Sequence, residues 1–291
     1  MKFLIADAFT DTTFGGNPAG IVLLPDGEDF PDTEICVKTA AELRYSETAF
    51  IKNLGNNQFQ IRYFTPAAEV DLCGHATIAS FRALIHLGII SENCRCINHT
   101  LAGDLNIEVK DGFVMMDMAS PVEIGKMEDI AAIEELYEIM GAEYDPARIP
   151  FVPRIISTGL PDIMMPVEDL AALNAVEPDM KALSALSERY EVTGVHAFTL
   201  NCEDGVTAHA RNFAPLYEID EEAATGTSSG AMTYYFYLNG LIDAKDNCKY
   251  IQGEKMERPS VILTEIDAQG ENCLIKVGGS AVILAEGEIH I

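Results

Sequence analysis

At 291 residues, 48% of them apolar, the chain is long and hydrophobic enough to fill two cores of ordinary size. Its 19 Lys and Arg stand against 46 Asp and Glu. The resulting formal charge of −27 repels phosphate backbones and anionic lipid, and no block of basic residues offsets it, so neither nucleic acid nor membrane is expected as a partner.

Residues 2 to 8 alternate apolar and polar as a half-buried strand does. The turn Phe14-Gly-Gly-Asn-Pro18 then leads into the apolar run Ala19 to Leu24, which reads as a hairpin. Asp7 comes too soon for the apolar segment of a signal peptide, and no apolar run approaches the roughly 18 residues that span a bilayer. A cytoplasmic location is expected. Pro31 to Leu43 has helical spacing, Ser46 to Ile51 resumes strand-like alternation, and Glu47 falls where one gives way to the other. After a strand at Phe59 to Phe64, Ala76 to Leu87 is apolar nearly all round, which demands a buried helix, with Gly88 placed to end it. Asp104 to Met118 reads as two strands about the turn Asp111-Gly112. Ser120-Pro121 breaks the pattern and sets a boundary near residue 119. The first half spans 1–118, with the last strand, about 280–291, as a candidate addition, and the second spans 119–279. The second half opens on an acidic amphipathic helix, Glu128 to Met140, continues with a hairpin over Arg154 to Val167, and holds a second apolar helix, Ser228 to Leu238, ended by Gly240. Each half reads as several strands with one central helix.

The two halves share a motif. Arg62-Tyr-Phe-Thr-Pro-Ala-Ala-Glu-Val-Asp71 and Arg211-Asn-Phe-Ala-Pro-Leu-Tyr-Glu-Ile-Asp220 match at Arg62/Arg211, Phe64/Phe213, Pro66/Pro215, Glu69/Glu218 and Asp71/Asp220, all at an offset of 149 residues. An internal duplication places the expected binding site in a cleft between pseudo-symmetric halves.

The helices opening at Gly74 and Gly226 leave their first amides without intrahelical partners, and with the helix dipole these favour a carboxylate. The alternative is that their Gly, Thr and Ser residues only cap the helices. His75 lies in the first turn, where dipole and burial favour a neutral ring with one donor and one acceptor, suited to proton handling or to capping its own helix. Glu47 stands among Ala49, Phe50 and Ile51, and apolar surroundings raise a carboxyl group toward the range useful to a general base. Cys73 precedes the first turn of its helix, a position that acidifies a thiol. Sliding the repeat by 150 to 152 residues puts Ala223, Ala224 or Thr225 opposite Cys73, which excludes symmetric two-thiol chemistry. Seven irregularly spaced cysteines read as reduced thiols. Cys94, Cys96 and His99 have no fourth ligand nearby, and neither a P-loop nor a Gly-x-Gly-x-x-Gly fingerprint is present, so no metal and no nucleotide cofactor are expected. His196 and His209 read as core or edge residues.

At Asp7-Ala-Phe-Thr, Gly16-Asn-Pro18, Ser46-Glu-Thr-Ala-Phe50, Asp71-Leu-Cys-Gly-His-Ala-Thr77 and Ala224-Thr-Gly-Thr227, in order over nearly the whole chain, the sequence resembles the phenazine-biosynthesis PhzF-like family. The resemblance implies an α+β, diaminopimelate epimerase-like fold of two pseudo-symmetric domains, each a strand-rich barrel around a central helix. It also implies an isomerase without cofactor that moves a proton within a small carboxylic acid. Glu47 takes the catalytic role, and Asn17, Cys73, Gly74, His75, Glu222, Gly226 and Thr227 contact substrate. Glu221-Glu-Ala-Ala-Thr-Gly-Thr227 departs from the family's usual Glu-Asp-Pro-Ala-Thr-Gly-Ser, which points to an altered substrate. The competing expectations are an epimerase or racemase using Cys73 and a non-catalytic small-acid-binding protein; a homodimer is open to either.

Overall fold

The structure is a computed structural model that describes residues 1–217, 219–269 and 272–291. It divides into two compact units, one formed by 1–117 with 278–291 and the other by 118–277. Both are sheet-rich, and the fold is α+β.

The first unit runs β1 (Lys2–Ala8), β2 (Asn17–Leu23), α1 (Thr33–Leu43), β3 (Thr48–Gly55), β4 (Gln58–Phe64), β5 (Glu69–Val70), α2 (Gly74–His86), β6 (Cys94–Thr100), β7 (Gly103–Lys110) and β8 (Phe113–Asp117). The chain returns at its end with the strand Ala281–Glu288, antiparallel to β1. From that strand the sheet order is β1, β2, β3, β4, β6, β7, β8, all antiparallel except the β2–β3 and β4–β6 pairs. Helix α2 contacts β1, β2, β3, β8 and the C-terminal strand, so the sheet wraps around it. Ten of its thirteen residues are buried, as its all-round apolar sequence requires. Asp111 and Gly112 both have positive φ, the backbone of the two-residue turn that suits the twist of β7 and β8.

The second unit repeats this plan with β9 (Val122–Lys126), α3 (Ile130–Ile139), β10 (Arg154–Ser157), β11 (Pro161–Pro166), α4 (Leu170–Ala175), α5 (Met180–Tyr190), β12 (Gly194–Thr199), β13 (Ala208–Ala214), β14 (Ile219–Glu222), α6 (Gly226–Leu238), β15 (Asn247–Gln252), β16 (Ser260–Gln269) and β17 (Asn272–Gly279). Its parallel pairs, β11–β12 and β13–β15, fall where β2–β3 and β4–β6 do in the first unit. Three helices, α3 to α5, build an outer apolar layer with Leu136, Tyr137, Leu173, Leu183 and Leu186 against the strand residues Ile163, Val195 and Phe213. Helix α6 is the central helix expected of this half, and the segment between β11 and β12 adds two outer helices, α4 and α5, that the sequence reading did not contain. Asp169 and Asp179 cap α4 and α5 through backbone amides, the short polar N-cap that starts a helix without a long apolar stripe.

The linear repeat also changes register. Arg62 grips Glu69 with two parallel hydrogen bonds of 2.6 Å, and Arg211 grips Glu221 in the same way at 2.8 Å. In the β4–β5 pair Tyr63 faces Val70, and in β13–β14 Asn212 faces Glu222, so the offset slides from 149 to 152 residues across the turn. The sequence match of Glu69 with Glu218 does not survive that slide, and Glu218 lies outside the described residues. At the new offset Thr225, Gly226 and Thr227 correspond to Cys73, Gly74 and His75.

Candidate active site

The first unit brings Asn17, Ser46, Glu47, Cys73 and His75 together from three chain segments. Asn17 opens β2 behind Gly16, whose φ of +62° favours glycine and where a Cβ would run into the Ala8 carbonyl oxygen. The buried Asp7 shapes the preceding loop by accepting a hydrogen bond from the Phe14 amide at 3.0 Å. Glu47 stands one residue before Thr48, which starts the parallel pairing with Gly20, and its carbonyl accepts the Gly20 amide at 3.3 Å. Cys73 is the N-cap of α2 in an extended conformation, which puts His75 in the first turn.

A buried relay fixes that turn. Asn98 Nδ2 donates to Tyr63 Oη at 2.8 Å, Tyr63 to Thr77 Oγ1 at 2.6 Å, and Thr77 Oγ1 to the Cys73 carbonyl at 2.7 Å. Each hydroxyl of the relay gives one proton and receives one, which leaves only the Asn98 side-chain oxygen without a partner. The imidazole of His75 is then held on both edges. Asn17 Nδ2 lies 3.2 Å from Nδ1, while Glu47 Oε2 and Ser46 Oγ each lie 3.3 Å from Nε2. An amide nitrogen can only donate, so Nδ1 is the acceptor and the ring proton belongs on Nε2, where Ser46 Oγ is within hydrogen-bond reach and the Glu47 carboxylate lies alongside. Burial pushes the His75 pKa below the usual imidazole range, against the opposing pull of Glu47, and this keeps the ring neutral at pH 7. Cys73 Sγ lies 3.4 Å from Nδ1. Glu47 retains some exposure, 14% of its side chain, whereas Cys73 and His75 are buried. The arrangement joins a carboxylate that solvent can reach to a neutral, oriented imidazole: a proton acceptor beside a hydrogen-bond donor.

The second unit has none of these titratable groups at the corresponding places. Thr193, Thr225 and Thr227 stand where Glu47, Cys73 and His75 stand, and Gly159, beside Thr227, replaces Asn17. Glu222 accepts a hydrogen bond from Thr225 Oγ1 at 2.6 Å, and its carbonyl accepts one from Gln252 Nε2 at 2.7 Å. Gly226 opens α6, and the Thr227 carbonyl accepts the Thr158 hydroxyl at 2.8 Å. The cluster of carboxylate, thiol and imidazole is therefore confined, among the described residues, to one copy of the duplication. Ser46, Tyr63 and Asn98 were not assigned roles from sequence; inward-facing strand positions mark Tyr63 and Asn98 as buried, but nothing local links them to Thr77. Cys94 and Cys96 have their sulfurs 3.7 Å apart, while His99 pairs with Asp104 at 2.7 Å. Among the described residues the one group of three or more with metal-ligand spacing is Glu47, Cys73 and His75.

The family described as phenazine biosynthesis-like protein matches residues 6–287. The chain belongs to that family. It is 32% identical, over 97% of its own length and 96% of the relative's, to an uncharacterized isomerase of Clostridium acetobutylicum. It is 28% identical, over 99% of its own length and 98% of the relative's, to the trans-2,3-dihydro-3-hydroxyanthranilate isomerase of Pseudomonas chlororaphis. The crystal structure of the Bacillus anthracis phenazine biosynthesis protein of the PhzF family superposes with a TM-score of 0.87 at 26% identity, covering 100% of this chain and 99% of that one. Solved epimerase and racemase structures of much lower identity share the fold alone. This PhzF-family protein is an isomerase with the two-unit, epimerase-like fold. No described helix is long and apolar enough to cross a membrane.

Proposed function

We propose that the chain is a cofactor-independent isomerase that shifts a proton within a small, ring-bearing carboxylic acid, with Glu47 as the base that removes the proton and returns it elsewhere on the same molecule. The observation that carries this is the close approach, 3.3 Å, of Glu47 Oε2 to Nε2 of a neutral His75 whose ring is oriented by Asn17. His75 supplies a donor without a competing charge, and the first amides of α2 at Gly74 favour an anionic substrate group. At −27 the protein repels anions at long range, so such local dipoles must supply the compensation; that favours a monoacid over a polyphosphate. The first compound to try is trans-2,3-dihydro-3-hydroxyanthranilate, the substrate named for the Pseudomonas relative. Turnover in deuterated buffer, followed by NMR, should place label at the carbon that receives the proton, to the extent that the proton held on the partly exposed Glu47 exchanges with solvent before its return. Glu47→Gln should lose about 10² to 10⁴ in rate with unchanged folding. An unaltered rate in that variant would refute the assignment.

A second reading has its own observation. Cys73 Sγ sits 3.4 Å from His75 Nδ1, close enough for the thiol to exchange a proton with the ring, which suits an epimerase that uses Cys73 opposite the carboxylate. Deuterium entering the α-carbon of an amino acid, lost in Cys73→Ala and retained in Glu47→Gln, would select this chemistry over the first.

A further inference from the structure

Thr225 is the N-cap of α6 and its backbone is extended, yet its side chain makes no capping bond. A threonine at that position ordinarily accepts an amide of the first turn. Here the hydroxyl lies between two other side chains, with Gln252 Nε2 at 3.1 Å and Glu222 Oε2 at 2.6 Å. Gln252 ends β15, is buried, and has its amide orientation fixed by two backbone groups. Its Nε2 donates to the Glu222 carbonyl at 2.7 Å, and its Oε1 accepts the Thr225 amide at 3.2 Å. A carbonyl only accepts and an amide only donates, so neither contact survives a flip of the side chain. Nε2 therefore also donates to Thr225 Oγ1, and the single hydroxyl proton is left for the Glu222 carboxylate. The turn itself is braced from β15 and β16. Ser260 Oγ donates to the Ala223 carbonyl at 2.7 Å, and Gly253, at φ +80°, lies so close that a Cβ there would stand 2.6 Å from the same oxygen.

We propose that Gln252 and Thr225 are positioning residues for the reaction, acting in a one-way series, Gln252 to Thr225 to Glu222, that fixes the direction of the Glu222 carboxylate. Glu222 is half-buried and stands where the family's usual motif has Asp, so it carries one more rotatable bond to restrain. The Thr225 hydroxyl supplies that restraint at Oε2. The series follows from the geometry alone; its consequence for turnover rests on the functional proposal above, with Glu222 touching substrate.

The test uses the full chain and two conservative variants. Thr225→Val keeps the shape of the side chain and the backbone bonds to Gln252 while removing the hydroxyl; Thr225→Ser restores it. The ¹³C signal of the Glu222 side-chain carboxyl, read by NMR without substrate, should move in Thr225→Val and return close to its wild-type position in Thr225→Ser. With trans-2,3-dihydro-3-hydroxyanthranilate, kcat/KM should fall about 10- to 100-fold in Thr225→Val, the scale of a hydrogen bond to a charged group, and recover to within about 2-fold of wild type in Thr225→Ser. In a Glu222→Ala background Thr225→Val should cost little more, because the carboxylate it served is gone, whereas a purely structural threonine would cost the same in both backgrounds. Gln252→Met should match the loss in Thr225→Val and also lower the melting temperature, since it strands the Glu222 carbonyl and the Thr225 amide. An unmoved carboxyl signal in Thr225→Val, or equal losses with and without Glu222, would overturn the proposal. Full turnover in Glu222→Ala would overturn the consequence for turnover, and wild-type protein inert toward the compound would count against the functional proposal; in both cases the carboxyl signal still decides the series.

Discussion

Asn17 decides which nitrogen of His75 carries the proton, and this single amide therefore sets the character of the centre. With Asn17 donating to Nδ1, the ring proton stays on Nε2, within reach of Ser46 Oγ, and the ring stays neutral despite the carboxylate beside it. Asn17→Asp would place a second anion against a buried ring, and two carboxylates flanking an imidazole favour its charged form. The His75 pKa should rise, and ring nuclei followed by NMR should show an imidazolium near pH 7 where the wild type shows neutral imidazole. Asn17→Leu should leave the ring neutral but release its orientation. The loss of one neutral hydrogen bond, about 0.5–1.5 kcal/mol, predicts a fall in kcat of about 2- to 10-fold with little change in KM. A ring that titrates identically in all three proteins would sever Asn17 from the site.

At the scale of elements, β2 and α2 depend on a loop that glycine makes feasible. Gly16→Ala sets a Cβ against the Ala8 carbonyl oxygen in a backbone region that L residues resist, at a strain cost of order 1–3 kcal/mol. The β1–β2 loop must shift to relieve this, carrying Asn17 off Nδ1. The expected outcome is a lower urea midpoint together with a loss of turnover larger than that of Asn17→Leu, measured on the same preparation. This element was legible from Gly16-Asn-Pro18, as were α2 and α6, because an apolar run beside a turn signals a buried helix or strand locally. Helices α4 and α5 were not: Leu170–Ala175 is short, and α5 has only two leucines, Leu183 and Leu186, among small and charged residues. The clustering of Glu47 with His75 could be argued only from resemblance, since 28 residues separate them and the parallel β2–β3 pairing that places Glu47 has no local sequence signature. The three-residue slip between β13 and β14 was hidden by a coincidental match at Glu218.

For the molecule as a whole, the second copy buries two ionisable groups away from the Glu47–His75 cluster's counterpart positions, Asp162 and His196, and these govern how stability follows pH. Asp162 is fully buried; burial pushes its carboxyl up to about 6, against the Ser228 hydroxyl and the Gly194 amide, which favour the anion. His196 is also fully buried; burial pushes it down to about 4, against its hydrogen bond to Asn212 at 2.9 Å. The linkage signs are opposite. Asp162 binds its proton more tightly when folded, so its contribution is complete below about pH 4 and is lost as pH rises through 6. His196 binds its proton less tightly when folded, so its contribution is present above about pH 6.5 and is lost as pH falls toward 4. Each amounts to about 3 kcal/mol, and between pH 4 and 6.5 they largely cancel. Asp162→Asn removes one side of the balance. The stability of the variant relative to wild type, from urea unfolding at each pH, should therefore rise by about 3 kcal/mol between pH 4 and 6.5. Loss of the Ser228 contact only offsets the whole curve, so the slope isolates the titration. His196→Gln should give the opposite slope. A difference that stays flat with pH in Asp162→Asn would mean that the carboxyl is not driven toward its protonated form by burial, and the cancellation would fail with it.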